Sequence, residues 1–325
     1  MKRGSWCLWF FLALALLVCA TACGPRKNAT SSPASPWNPM TIGTTAFLNA
    51  VWGSSAADVF AVGGGVSTPG VILHYDGSAW SPMTSGSTAN LYGVWGTSPT
   101  DVFAVGYNSD GNGAVLHYAG ASWSAMTTGP DTVALYAVWG SSSSDVFVVG
   151  GDEDTPGVVL HYDGATWSAM ASGAIEPLNG VWGTSSSNVF AVGPGDTILQ
   201  YNGAAWSAMA TGTTSASFYA VWGNSPTDVF AVGRDWKAVL GLVLHYDGSA
   251  WSPMPSGITI ELYGVWGSGA ANVFAVGSPG VILQYDGTAW SRMTSGTGVE
   301  LNAVWGSAAT NVFAVGSATV LNYGG

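Results

Sequence analysis

Four histidines, 18 carboxylates and three cysteines are the side chains of this 325-residue chain best suited to proton transfer, metal ligation or nucleophilic attack. Histidine beside a carboxylate is the usual apparatus of general acid–base chemistry. His74, His117, His161 and His245, however, all stand in one recurring phrase, Leu-His-Tyr, and Gln200, Gln284 and Asn322 hold the same position elsewhere. A catalytic or metal site needs residues that are placed differently from one another. Four copies spread evenly along a chain describe a scaffold, and the sequence gives no catalytic residue.

Three other groups carry binding chemistry. Arg234-Asp235-Trp236-Lys237 holds two of the three cations found after position 36 beside a tryptophan outside the repeated phrases. Arg and Trp are common anchors of protein interfaces, although a Trp in a long loop also serves as a plug. Asn108, Asp110 and Asn112 have the oxygen spacing that opens a calcium loop, and Asp152 and Asp154 with Glu153 occupy the equivalent segment one repeat later. The twelfth position of that loop is Ala119 rather than an acid, so a solvated acidic rim is the simpler reading and no cofactor beyond a structural calcium is in prospect. Finally Tyr92, Tyr136, Tyr219 and Tyr263 recur at one repeat position with Asn49, Asn179 and Asn302, and Tyr107 follows in the second copy. Tyr and Asn suit sugar or peptide contacts, and packing explains the Tyr equally well.

These residues are positioned by a repeat. Val-Trp-Gly recurs at Trp52, Trp95, Trp139, Trp182, Trp222, Trp266 and Trp305, at spacings of 43, 44, 43, 40, 44 and 39 residues. Each copy has four short apolar phrases, here called strands A (Leu-Tyr-Gly-Val-Trp), B (Asp-Val-Phe-Ala-Val), C (Val-Ile-Leu-His-Tyr) and D (Trp-Ser-Pro-Met). A period near 40 with four strands predicts the blade of a β-propeller. Asp-Gly or Asn-Gly between C and D, as at Asp76-Gly77 and Asn202-Gly203, predicts two-residue type I′ turns. Asp58, Asp101, Asp145 and Asp228, with Asn188, Asn272 and Asn311, are expected to close the A–B turns through their side chains. The Trp and Met of each D strand are expected to pack between blades.

The seventh copy ends after strand C, and its missing D strand is Trp37-Asn38-Pro39-Met40 at the other end of the chain. The expected fold is therefore all-β: a single seven-bladed β-propeller of four-stranded antiparallel blades, closed by the N-terminal strand pairing into the last blade. Closure removes the open edges of a linear array. The D–A and B–C connections vary in length and composition and belong to one face, whereas the uniform A–B and C–D turns belong to the other. The varied face, with the Tyr/Asn ring at its channel mouth, is the functional candidate.

Gly63-Gly64, Tyr75-Asp76, Trp80 and Met83 follow the order of the Kelch repeat, and Gly150-Gly151, Tyr162-Asp163, Trp167 and Met170 do so again. The chain resembles Kelch propellers in this respect, and WD-repeat propellers in its N-terminal closure. Over residues 37–325 it also resembles bacterial surface lipoproteins with Val-Trp-Gly…Asp-Val-Phe-Ala-Val-Gly repeats, a likeness that implies fold more than activity.

Residues 1–22 form a short charged start, an apolar run from Trp6 to Val18 and the small residues Ala20-Thr21-Ala22 before Cys23. That is the composition of an export signal, too short for the ~20 residues of a spanning helix. Cys23 resembles the lipidated cysteine of bacterial lipoproteins, with residues 23–36 a Ser/Pro-rich tether and residues 37–325 the propeller. No cysteine follows Cys23, so no disulfide staples the domain. From position 37 there are 18 acidic and three basic residues, a net charge of −15, which repels nucleic acid and anionic lipid. The expected protein is an exported outer-membrane lipoprotein, monomeric, touching membrane through its lipid only. It would bind a protein or glycan through the varied face without catalysis. A glycan hydrolase using acids such as Asp110, Asp131, Asp154, Glu176, Asp196 and Asp235, or a purely structural envelope protein, are the alternatives.

Overall fold

The B strands show why this chain forms sheets. In Asn272–Gly277 every residue after the first is buried, and the four residues that follow the first are buried in the B strand of every blade. Continuous burial of Val-Phe-Ala-Val suits a central strand covered on both faces. The D strands are their opposite: in Trp80–Met83 only Trp80 is buried and the middle residues face solvent. A computed structural model describes residues 35–65, 68–129, 133–152 and 154–324. The leader, Cys23 and most of the tether lie outside the described residues, as do Asp131 and Glu153.

Among the described residues there are 28 strands in seven antiparallel sheets of four, each in the order A-B-C-D. The first blade is Leu48–Ser55, Asp58–Gly65, Thr68–Tyr75 and Trp80–Met83. The seventh is Leu301–Ala308, Asn311–Gly316 and Thr319–Tyr323, completed by Trp37–Pro39. The register of that closure is Trp37↔Tyr323, Asn38↔Asn322 and Pro39↔Leu321. Met40 N–H extends it to the Val320 carbonyl at 2.9 Å, and Ser35 Oγ donates to the Thr294 carbonyl at 2.8 Å. The fold is the predicted seven-bladed propeller with its ring closed by the N-terminal strand.

The core lies between blades rather than within them. Phe60, Val62 and Ile72 of blade 1 pack with Leu91, Val94, Val102, Leu116 and Trp123 of blade 2, with Met83 at the margin. Seven such clusters repeat around the ring. Trp80 meets Phe313 of the preceding blade edge-on at 6.2 Å, and its Nε1 points at Met40 Sδ at 3.5 Å, so the D-strand Trp and Met are inter-blade contacts. The Val-Trp-Gly motif has a simple cause. Each A-strand Trp stacks on the Phe of its own B strand, as Trp52 does on Phe60 at 6.4 Å, and its far edge lies over the next blade's Gly. A Cβ on Gly96 would come within 2.8 Å of Trp52 Cη2, and the same contact runs from Trp305 to Gly53 to complete the circle.

One expectation is corrected. The C–D connections are four-residue loops, with Tyr75 paired to Trp80, and Gly77 alone carries positive φ (91°) in the first of them. Asp76 keeps an ordinary φ because its carboxylate does the turning. Asp76 Oδ1 accepts the Ser78 and Ala79 amides at 2.8 and 2.9 Å and the Ser78 hydroxyl at 2.6 Å. An Asx turn thus replaces the type I′ hairpin. The Ser78 hydroxyl, then the two amides, hold this carboxyl down to about 2, and Asp247 and Asp286 are held likewise by Ser249 and Thr288.

Candidate functional site

The histidines pair with the acids of the A–B turns. His74 Nε2 lies 2.7 Å from Asp58 Oδ1, and Ser54 Oγ donates to Asp58 Oδ2 at 2.6 Å. The carboxylate stands between hydroxyl and imidazole, so the His has no hydrogen bond through which to take the Ser proton. The same arrangement joins Thr97, Asp101 and His117, and Ser141, Asp145 and His161. Asp228 and His245 keep the pair at 2.7 Å, with Asn224 where the others have Ser or Thr. In blade 6, where Asn replaces Asp and Gln replaces His, Gln284 Nε2 donates to Asn272 Oδ1 at 3.0 Å. Asp goes with His in four copies, and Asn with Gln or Asn in three, a covariation visible in the sequence once the strands are aligned. The A–B turn acid therefore closes its turn in blades 1 to 3, as expected, and ties strand B to strand C there and in blade 5, where Asp228 Oδ2 is buried without a hydrogen-bond partner.

The Tyr/Asn ring surrounds the channel mouth on the side of the D–A and B–C loops. The mouth is a cavity of about 350 Å³ lined by Asn49, Tyr92, Tyr136, Asn179, Tyr219, Tyr263 and Asn302, with Phe47 and Glu300 above. Its members divide by chemistry. Asn49 Nδ2 donates to the Leu91 carbonyl at 2.8 Å, Asn179 to Phe218 at 2.9 Å and Asn302 to Leu48 at 2.9 Å, each a carbonyl of the next blade. The asparagines are thus inter-blade ties. The tyrosines form two clusters on opposite sides. Tyr92 lies parallel to Tyr107 (5.0 Å, 7°) with their hydroxyls 3.0 Å apart, and Tyr136 stands edge-on to both. Tyr219 and Tyr263 meet at 5.4 Å and 62°. Burial, and then the hydrogen bonds of Tyr92 with Tyr107 and of Tyr263 with Glu261, push these phenols above their usual range. Burial also raises Tyr136 and Tyr219, so all four rings are neutral at physiological pH.

The Arg234-Asp235-Trp236-Lys237 segment is not a loose insertion. Blade 5 is longer than the others: Ala216, Ser217 and Phe218 of strand A pair with Asp235, Arg234 and Gly233 of strand B, and Asp235 pairs with Leu240 of strand C. A three-stranded extension results, ending in the turn Trp236-Lys237-Ala238-Val239, where Val239 has a φ of 54°. Asp235 Oδ1 organises that turn by accepting the Lys237 and Ala238 amides at 2.9 Å and the Ser215 hydroxyl at 2.8 Å. The Ala238 amide foremost, then Ser215, lower its pKa. Arg234 ion-pairs with Glu261, which also accepts the Tyr263 hydroxyl at 2.6 Å, and places its guanidinium 4.2 Å over the Trp236 ring. Burial raises the Glu261 carboxyl, but the Tyr263 and Arg234 hydrogen bonds outweigh it and the net shift is downward. Trp236 Nε1 donates to Ser217 Oγ at 2.9 Å while 51% of the residue stays exposed. Val239 and Leu240 are 51% and 44% exposed, and Leu240 lines a groove of about 690 Å³ bounded by Thr213, Leu242, Met254 and Ile258.

The loops with calcium-like spacing spend oxygen atoms on themselves. Asn108 Oδ1 accepts the Asp110 and Asn112 amides, both at 3.0 Å. Asp152 Oδ1 accepts the Asp154 amide at 3.0 Å and the Thr155 hydroxyl. Asp110, Asn112 and Asp154 lie on the same turns, and among the described residues no three His, Cys, Asp or Glu side chains gather where a metal would be held. Sequence reasoning missed Glu261, Glu300 and Phe47. Glu261 and Glu300 stand two positions before a ring residue, and the period of two along a strand was the available signal. The groove had none, because it is formed by three separate loops.

No protein-family model matches this chain, and no curated protein matches it. Solved structures do. YCF48 bound to a D1 peptide superposes with a TM-score of 0.70 at 16% identity, covering 90% of this chain and 96% of that one. YCF48 from Cyanidioschyzon merolae gives 0.68 at 15%, covering 89% and 99%. The WD40 β-propeller domain of Doa1 gives 0.68 at 11%, covering 88% and 94%. The neighbours are WD40-like propellers. At these identities the likeness concerns fold, and the side chains of the varied face are this chain's own.

Proposed function

We propose that this chain is a non-enzymatic binding module that takes a peptide segment of a protein partner on its varied face. The observation that carries the reading is the blade-5 extension. It spends strand pairing, an ion pair and an Asx turn to hold Trp236, Val239 and Leu240 out in solvent, with Leu240 lining an apolar groove. A rigid scaffold that exposes a Trp and two aliphatic side chains together has the makings of an interface core. YCF48, which shares the fold, is seen bound to a peptide, and that supports the class of partner by analogy only. Export and lipid attachment at Cys23 rest on the composition of residues 1–23 and complete the proposal: an outer-membrane lipoprotein presenting a propeller at the cell envelope.

The test is to probe peptide and glycan arrays with the full chain in detergent micelles, wild type beside Trp236→Ala. Peptides carrying apolar residues are expected to bind, and Trp236→Ala to weaken them about 30-fold, the effect of losing ~2 kcal/mol at an anchor. Binding to glycans alone, or peptide binding indifferent to Trp236→Ala, would refute the assignment.

A further inference from the structure

The channel mouth has a chemistry distinct from that of the blade-5 groove. Tyr136 stands perpendicular to the Tyr92–Tyr107 stack, giving two aromatic walls at a right angle on one side. Tyr219 and Tyr263 make a second angled pair on the other. The asparagines between them have their amides turned to neighbouring blades, so the lining is dominated by neutral phenol rings and by Phe47, which is half exposed. The rim carries negative charge: Glu300 borders the cavity and acts on Tyr263, Asp152 acts on Tyr136, and the cation Arg234 is paired with Glu261. Below the mouth the channel continues as a cavity of about 230 Å³ between Ala50, Val51, Gly93, Val94 and their counterparts.

From these features we infer that the mouth is a binding site for an organic cation, an alkylammonium or guanidinium group held by ring faces and the Glu300 carboxylate. A cation over a Tyr face is attracted by the ring quadrupole, and angled aromatic walls let several rings face one cation. An inorganic cation fits poorly, because phenol faces do not replace its hydration shell. The net charge of −15 from position 37 draws such a group toward the propeller from a distance. The inference deepens the peptide-binding reading by naming a Lys or Arg side chain as one element of the partner. A free organic amine presents the same chemistry.

The test is isothermal titration of the full chain with choline, with Nα-acetyl-arginine methylamide, and with 3,3-dimethylbutan-1-ol, the uncharged isostere of choline. Both cations are expected to bind about tenfold tighter than the alcohol, the scale of a partly desolvated cation–π contact. Tyr136→Leu is expected to remove most of that gain and Tyr136→Phe to retain it, which separates loss of the ring from loss of folding. Glu300→Gln and added salt should weaken the cations and leave the alcohol unchanged. Leu240→Ser should leave choline binding intact while it weakens array peptides, so failure of the groove and failure of the mouth are read separately. A further tenfold gain for a Lys- or Arg-containing peptide over choline assigns the cation to a protein side chain, and no gain assigns it to a free amine. Equal affinity for choline and the alcohol, binding of neither, or indifference to Tyr136→Leu overturns the inference.

Discussion

Substituting Gly223 by Ala tests whether the Val-Trp-Gly glycines exist to let one blade's indole lie on the next. The added Cβ would sit 2.6 Å from Trp182 Cη2, 2.7 Å from Cζ3 and 2.8 Å from the Asp228 carbonyl oxygen. Ordinary carbon contacts are about 3.5–4.0 Å, so roughly 1 Å must be found. Trp182 cannot retreat, since Phe190 stacks behind it at 6.3 Å and 28°, and the carbonyl belongs to a buried B strand. An overpacked site of this kind costs about 2–3 kcal/mol, or a fall in Tm of about 4–12 °C for a domain of this order of size. Gly298→Ala is the control: nothing lies within 4 Å of its Cβ, and restricting the unfolded chain should leave stability unchanged or about 0.5 kcal/mol higher. The decisive measurement is a double-mutant cycle by urea denaturation. Trp182→Leu removes the clashing atoms, so Trp182→Leu with Gly223→Ala should cost at least ~1 kcal/mol less than the two single changes together. Additive costs, or a Gly223→Ala protein as stable as Gly298→Ala, would show that the contact does not explain the motif.

Trp37→Ala should destabilise by about 3–5 kcal/mol, because Trp37 is 1% exposed and sits against Phe274 and Tyr323. Hydrogen exchange should speed up selectively in Thr319–Tyr323, while Trp290→Ala, at a less buried copy of the same position, should cost less. Asp58→Asn and His74→Gln should each destabilise alone, and the double variant should recover about 1 kcal/mol in a urea titration by recreating the Asn272–Gln284 pair. The pH dependence follows from Asp76, Asp247 and Asp286, whose folded carboxyls are depressed to about 2. Their contribution is present above the ordinary carboxylate value of about 3.9 and is lost as pH falls toward 2. Replacing all three by Asn, the residue that serves the same turn at Asn202, should flatten the fall in Tm between pH 4 and pH 2.

How much of this was legible follows from what a period can encode. Blade count, strand order and ring closure were readable because each blade buries the same residues against its neighbours, and Trp37 to Met40 supplied the one D strand that the seventh copy lacks. The C–D turns were misjudged because Asp-Gly serves two geometries, and pairing Tyr75 with Trp80 leaves four residues to span rather than two. The Asp–His link was visible as covariation between repeats but not as a contact, since the partners are 16 or 17 positions apart and meet only when strands B and C pair. On the varied face, the spacing of residues off the repeat did not show which of them pair with one another, because Arg234 and Glu261 or Trp236 and Ser217 meet only across strands and blades.

The linear chain by itself determined a closed, acidic, seven-bladed ring with one face free to vary, because repetition and net charge are properties of composition and order. Tertiary structure alone decided that the ring asparagines face their neighbours and the tyrosines form two angled pairs. It also decided that Arg234 is consumed by Glu261 and that Trp236 stands half in solvent on a three-stranded extension. Those outcomes depend on side chains from different blades competing for the same partners at the ring's centre. Such competition is settled by distance in space, which the spacing of residues along the chain does not specify.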